Sequence, residues 1–205
     1  MTSLRPILIV PGFRNSGLDH WQTRFESRFI GARRVNMPSF DSPLPHEWVA
    51  ELDRAIAQCD APPVLVAHSL GCIAVAHWSE RAKSRAVHAS LLVAPCDVEQ
   101  RGAHPALRAF APLPLAPLRF PSVVVASTND PYLERERGGA LARAWGARLH
   151  VIESAGHLNP ASGHGPWPAG EALLASLLEA RPLRNAWATL RANHPSDLFQ
   201  PRALW

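Results

Sequence analysis

Short, wholly apolar runs alternate with longer amphipathic segments along most of this chain, and that alternation leaves few architectures open. Ile7–Val10 is stopped by Pro11-Gly12, and further strand-length runs occupy 33–37, 63–67, 87–93, 122–126 and Arg148–Ile152. A strand that is apolar at successive positions has no solvent face, so both of its sides must be covered. Between the runs lie segments with helical periodicity. Residues 19–29 place Trp21, Phe25 and Phe29 on one face, and 43–59 place Trp48, Val49, Leu52 and Ile56 on another. Leu70–Arg81, 133–145 and 169–180 read as three more helices, although Gly138-Gly139 lowers the helix propensity of the second. The pattern predicts an α/β fold: a three-layer sandwich around a mainly parallel sheet of about six strands.

At 205 residues, 47% hydrophobic and 19% charged, the chain can bury one sizeable core, and two domains would fit only with difficulty. Residues 1–183 are therefore read as one domain and 184–205 as a C-terminal extension of unknown role. The aromatic and aliphatic end of that extension (Leu198, Phe199, Leu204, Trp205) suits packing on the domain or on a partner. Five prolines between Pro105 and Pro121 exclude a regular helix there and predict a loop, with 112–117 as a partial lid over the strand ends.

The net charge of +4 is carried almost wholly by scattered arginines, since Lys83 is the sole lysine. Nucleic-acid binders concentrate their charge on one stripe or helix, so no nucleic-acid partner is expected. Three cysteines (Cys59, Cys72, Cys96) without a CxxC spacing favour neither a disulfide framework nor a metal site. The N-terminus lacks an apolar signal segment, and no apolar run reaches membrane-spanning length. The expectation is a cytoplasmic protein with no membrane span.

In open parallel sheets ligands bind beyond the carboxyl ends of the strands, so chemistry is sought in the residues that follow each strand. Ala67-His68-Ser69-Leu70-Gly71 falls at a strand-to-helix boundary. A serine on such a turn is held clear of the sheet, and the N–H of the next residue, Leu70, can bind an oxyanion. The turn needs small residues on both sides; Gly71 meets the usual glycine, and Ala67 replaces the other. The alternative is a serine that merely caps the helix. Asn129-Asp130-Pro131 follows the 122–126 strand, where a carboxylate could orient an imidazole or serve only as a turn aspartate. Ala155-Gly156-His157-Leu158 follows the last strand, with His164 as a reserve histidine and Asp97 as a competing acid. Gly12-Phe13, after the first strand, could supply a second oxyanion donor from the Phe13 N–H. The order Ser69, Asp130, His157 is that of nucleophile, acid and base in this architecture. Gly12, Trp21 and His68 are candidates for the substrate pocket, and Cys72 reads as a packed thiol.

Several strings occur together at suitable spacing: Val10-Pro11-Gly12-Phe13, Ser16-Gly17, His20-Trp21-Gln22, Ala67 to Cys72, Asn129-Asp130-Pro131-Tyr132 and Ala155 to Asn159. From about residue 6 to 180 the chain resembles the retinoblastoma-binding-protein/YdeN family of small α/β-hydrolases. The resemblance implies a compact six-stranded core without a large cap, catalytic positions at Ser69, Asp130 and His157, and hydrolysis of a small acyl substrate without a cofactor. The family name also implies that some members bind the retinoblastoma protein through an LxCxE-type motif. Here Leu70-Gly71-Cys72-Ile73-Ala74 ends in alanine, which argues against that route. A catalytically weak binding module and an acyltransferase or peptidase with the same three residues are the competing readings.

Overall fold

The computed structural model describes residues 5–82 and 86–179. The 184–205 extension and Ala180, the expected end of the final helix, lie outside the described residues. Six strands form one sheet: β1 (Ile7–Val10), β2 (Ala32–Arg34), β3 (Val64–His68), β4 (Ala89–Val93), β5 (Ser122–Ser127) and β6 (Arg148–Ile152). Their order is β2-β1-β3-β4-β5-β6, and every neighbouring pair is parallel. Among the described residues five α-helices flank the sheet: α1 (Trp21–Arg28), α2 (Pro45–Ala57), α3 (Leu70–Arg81), α4 (Arg135–Ala144) and α5 (Pro168–Glu179).

Alternation along the strands divides the core in two. Leu8, Val10, Leu65, Ala67, Leu92 and Val124 point to one face, where α2, α3 and α4 cover them with Trp48, Leu52, Ile73 and Leu141. Ile7, Ile9, Val64, Val66, Leu91 and Val123 point to the other, where α1 and α5 supply Trp21, Phe25 and Leu174. Burial on both faces explains why β1, β3, β4 and β5 are uninterrupted apolar runs. The edge strand β6 is largely exposed, and Leu149 and Val151 remain open to solvent. The expected three-layer α/β fold is the fold observed.

Three expectations are corrected in detail. The strand expected at 33–37 is Ala32–Arg34; Val35 and Met37 are still buried but run on toward α2. The Pro105–Pro121 segment is not loop throughout. Pro105–Phe110 forms a 3₁₀ helix because Pro105 stands in its first turn, where no intrahelical N–H is required, and the His104 side chain caps it. The helix expected at 133–145 is the shorter Arg135–Ala144, and Gly138 lies within it. A Cβ there would lie 3.3 Å from the Ala126 Cβ, so glycine lets the helix approach β5 closely.

Candidate active site

The carboxyl ends of β1, β3, β4, β5 and β6 all open on the same edge of the sheet, and each contributes a loop to one cavity of about 430 Å³. The centre of that edge is the β3–α3 turn. Ser69 holds φ 53° and ψ −123°, which directs its side chain out of the sheet while α3 starts at the next residue. This geometry needs close packing on both sides. A Cβ on Gly71 would come within 2.4 Å of the Val10 carbonyl oxygen and 2.6 Å of that of Pro11. A Cβ on Gly12 would come within 2.8 Å of the Ser69 Cβ and 3.4 Å of the Leu70 nitrogen. The two glycines thus allow the loop after β1 to lie directly against the Ser69 turn. The N–H groups of Phe13 and Leu70 have no acceptor among the described residues.

The loop after β6 carries the imidazole. His157 Nε2 lies 2.9 Å from Ser69 Oγ, and His157 Nδ1 lies 2.9 Å from both carboxylate oxygens of Asp130. A ring nitrogen facing a carboxylate carries the proton, so Nε2 presents its lone pair to the serine hydroxyl. The Asp130 side chain is fully buried, and its Oδ1 also accepts from the Tyr132 N–H at 2.9 Å. The Tyr132 ring meets the His157 ring edge-on at 4.6 Å. Serine, imidazole and carboxylate therefore form one continuous hydrogen-bonded line.

Several residues that a reading by motif overlooks hold this line in place. Ser127 Oγ, Thr128 Oγ1 and Asn129 Oδ1 accept from the N–H groups of Ala155, Ser154 and Gly156 at 2.9, 3.0 and 2.7 Å. The Ser-Thr-Asn-Asp run after β5 therefore ties down the histidine loop as well as supplying the carboxylate. From below, His68 Nε2–H donates to the His157 carbonyl at 2.9 Å, and Trp21 Nε1–H donates to the Leu158 carbonyl at 2.8 Å. Gln22, fully buried, donates to the carbonyls of Val10 and Val66 at 3.1 and 3.0 Å and so fastens α1 to the ends of β1 and β3. These bonds are the physical role of the His20-Trp21-Gln22 string.

Among the candidate pocket residues, His68 lines the cavity, whereas Trp21 and Gly12 do not. Trp21 is wholly buried beneath it, packed on Phe25 and Trp167. Gly12 lies behind Ser69, where it governs spacing. The expected lid at 112–117 is also misplaced: Gln100, Ala103, His104 and Leu107 form the upper wall, ahead of that stretch. Asp97, the competing acid, is instead paired with Arg137 Nε at 3.1 Å. His164 bonds the Ser162 carbonyl and takes no part in the cavity wall.

Burial sets the protonation of the surrounding groups. His20 is pushed down from 6.5 to about 4, first by burial and then by the charges of Arg34 and His157. His68 is pushed well below the usual histidine range, chiefly by burial. Both are neutral near pH 7, which suits the donor role of His68 toward a carbonyl. Cys96, beside Ser69, is pushed up to about 12 by burial, and Cys72 is raised for the same reason, so both are thiols. Among the described residues no cluster of His, Cys, Asp or Glu could hold a metal ion, and no helix is long and apolar enough to cross a membrane.

A serine hydrolase family model matches residues 7–176. The chain belongs to the serine hydrolase family. Among solved structures, it is similar to a YdeN-like hydrolase from Pectobacterium atrosepticum at 29% identity and a TM-score of 0.77, covering 87% of this chain and 92% of that one. It shares its fold with the ydeN gene product of B. subtilis at 23% identity and a TM-score of 0.72, covering 86% and 100%. The carboxylesterase CesB from Bacillus subtilis shares the fold at 12% identity and a TM-score of 0.60, covering 87% and 85%. No protein of curated function matches the chain. The serine hydrolase family, and the similarity to a YdeN-like hydrolase, agree with the resemblance that the sequence motifs carry.

Proposed function

We propose that this serine hydrolase cleaves small carboxylic esters through Ser69, His157 and Asp130. The observation that carries the reading is the unbroken line from Ser69 Oγ to His157 Nε2 and from His157 Nδ1 to Asp130, at 2.9 Å in each step. Ser69 Oγ attacks the ester carbonyl carbon while His157 Nε2 takes its proton, and the Asp130 carboxylate stabilises the resulting imidazolium. The N–H groups of Leu70 and Phe13 receive the negative charge that develops on the carbonyl oxygen. Collapse breaks the bond to the leaving alkoxide, which takes the proton from His157 and departs as an alcohol. Water then attacks the acyl-Ser69 ester, giving its proton to His157, and the acid leaves as the serine hydroxyl is restored. No step draws on a metal or organic cofactor.

The modest size of the cavity and its mixed wall suit a small acyl substrate. Phe13, Ala103 and Leu107 suit a short acyl chain, and His20 and Asn159 offer polar contacts. The test is turnover of 4-nitrophenyl butyrate by the purified protein and two variants. Ser69→Ala should abolish it. Asp130→Asn should lower kcat by about 10³- to 10⁴-fold, because an amide no longer fixes the imidazole tautomer. Wild-type rates indistinguishable from those of Ser69→Ala would reject the proposal.

A further inference from the structure

We propose that the cavity selects acyl esters that carry a carboxylate, held by Arg14 and Asn15 at its rim. The inference rests on the ester-hydrolase reading above and names its substrate class. Arg14 directly follows Phe13, the proposed oxyanion donor, so its side chain starts one residue from the point where the scissile carbonyl would sit. Its guanidinium stacks on the Phe13 ring at 5.1 Å, and the other partner of that ring is His104 at 4.9 Å. The stack orients the cation, yet the guanidinium has no hydrogen bond or ion pair with any described residue.

Asn15 adds a second, independent set of donors. Its Oδ1 accepts from the Ser16 N–H at 2.7 Å and from Arg34 Nη1 at 2.9 Å. Those two bonds fix which way the amide faces, and the Nδ2 hydrogens are left without a protein acceptor among the described residues. Arg14 and Asn15 both hold φ 64°, which is uncommon for side chains other than glycine, and both line the cavity.

Among the described residues Arg14 is the one cationic side chain of the wall near neutral pH. Asp97 is the other formally charged residue in it; its carboxylate is turned to Arg137, which it shares with Glu99. Asp130 lies behind His157 rather than in the wall. His20 and His68 are neutral, kept so mainly by burial. A guanidinium and an amide that both line the cavity offer the several N–H donors that a carboxylate accepts. The acyl chain between the two ends would lie along Phe13 and Leu107.

The test compares mono-4-nitrophenyl adipate with 4-nitrophenyl hexanoate, esters of equal chain length that differ in the terminal carboxylate. The ratio of their kcat/KM values should fall about three- to fivefold in Arg14→Gln, recover in part in Arg14→Lys, and shrink for wild type in 0.5 M NaCl, as expected for a charge pair at a solvent-exposed rim. The hexanoate ester of 4-hydroxybenzoate, with its carboxylate on the leaving group, should gain no such advantage. A ratio unchanged by Arg14→Gln overturns the proposal while leaving the hydrolase reading intact. Should no ester turn over, binding of free adipate by saturation-transfer NMR still decides it: a signal lost in Arg14→Gln supports the site, and no signal with wild type rejects it.

Discussion

Acid should destabilise this fold in a way that can be traced to His20. The side chain is 5% exposed, and its Nδ1 caps α1 by accepting from the Gln22 N–H at 3.1 Å. Its ring packs against those of Trp21 and His68, so a proton on it would be a buried charge near Arg34. The folded pKa of about 4 lies below the ordinary 6.5. The unfolded chain therefore binds the proton first, and the contribution is complete above about pH 6.5 and lost as the pH falls toward 4. That gap corresponds to about 3 kcal/mol at roughly 1.4 kcal/mol per pH unit. His20→Asn keeps a good capping side chain and removes the titration. Urea unfolding of both proteins at pH 7 and pH 4 supplies the measurement. Wild type should lose about 3 kcal/mol more than the variant between the two values, since the His68 shift is caused chiefly by burial and most of its loss is shared by both proteins. Parallel losses would refute the assignment of a buried, neutral His20.

Two further substitutions probe how the site is built. Gly71→Ala should abolish esterase activity and lower Tm, because the added Cβ would overlap the Val10 and Pro11 carbonyls and push α3 away from β1; a variant with wild-type kcat and Tm would contradict the close approach. Trp21→Phe leaves the buried Leu158 carbonyl without its donor and opens space in the core. A loss of about 2 to 3 kcal/mol in chemical unfolding is expected, together with a lower kcat as the His157 loop loosens, whereas unchanged stability would show that the bond contributes nothing net.

The layers of the fold were legible because burial on both faces leaves a mark in the sequence. Ile7–Val10 and Ser122–Ser127 can be read as strands from composition alone. Element ends were less legible where proline decides them. Pro105 starts a 3₁₀ turn instead of preventing one, and the expected lid was displaced as a result. Ser69, Asp130 and His157 could be singled out because each follows a strand on the same edge of the sheet, and their hydrogen-bonded line has its origin in that topology. What supports them could not be read. The bonds from Ser127 and Asn129 to the His157 loop join residues more than 25 positions apart, and their partners are backbone N–H groups with no sequence signature. Trp21 shows the converse: an aromatic beside the site in sequence pattern lies beneath the cavity, where its indole N–H can reach a carbonyl.

Activation of Ser69 by His157 and Asp130 is open to a direct test by covalent labelling. Wild type, Ser69→Ala and His157→Ala would each be treated with a fluorophosphonate probe and examined by intact mass and peptide mapping. One adduct on Ser69 in wild type, none in Ser69→Ala and a rate lowered by at least about 10³-fold in His157→Ala is the expected result. A folded wild-type protein that takes up no probe, or that is labelled equally fast without His157, would contradict it.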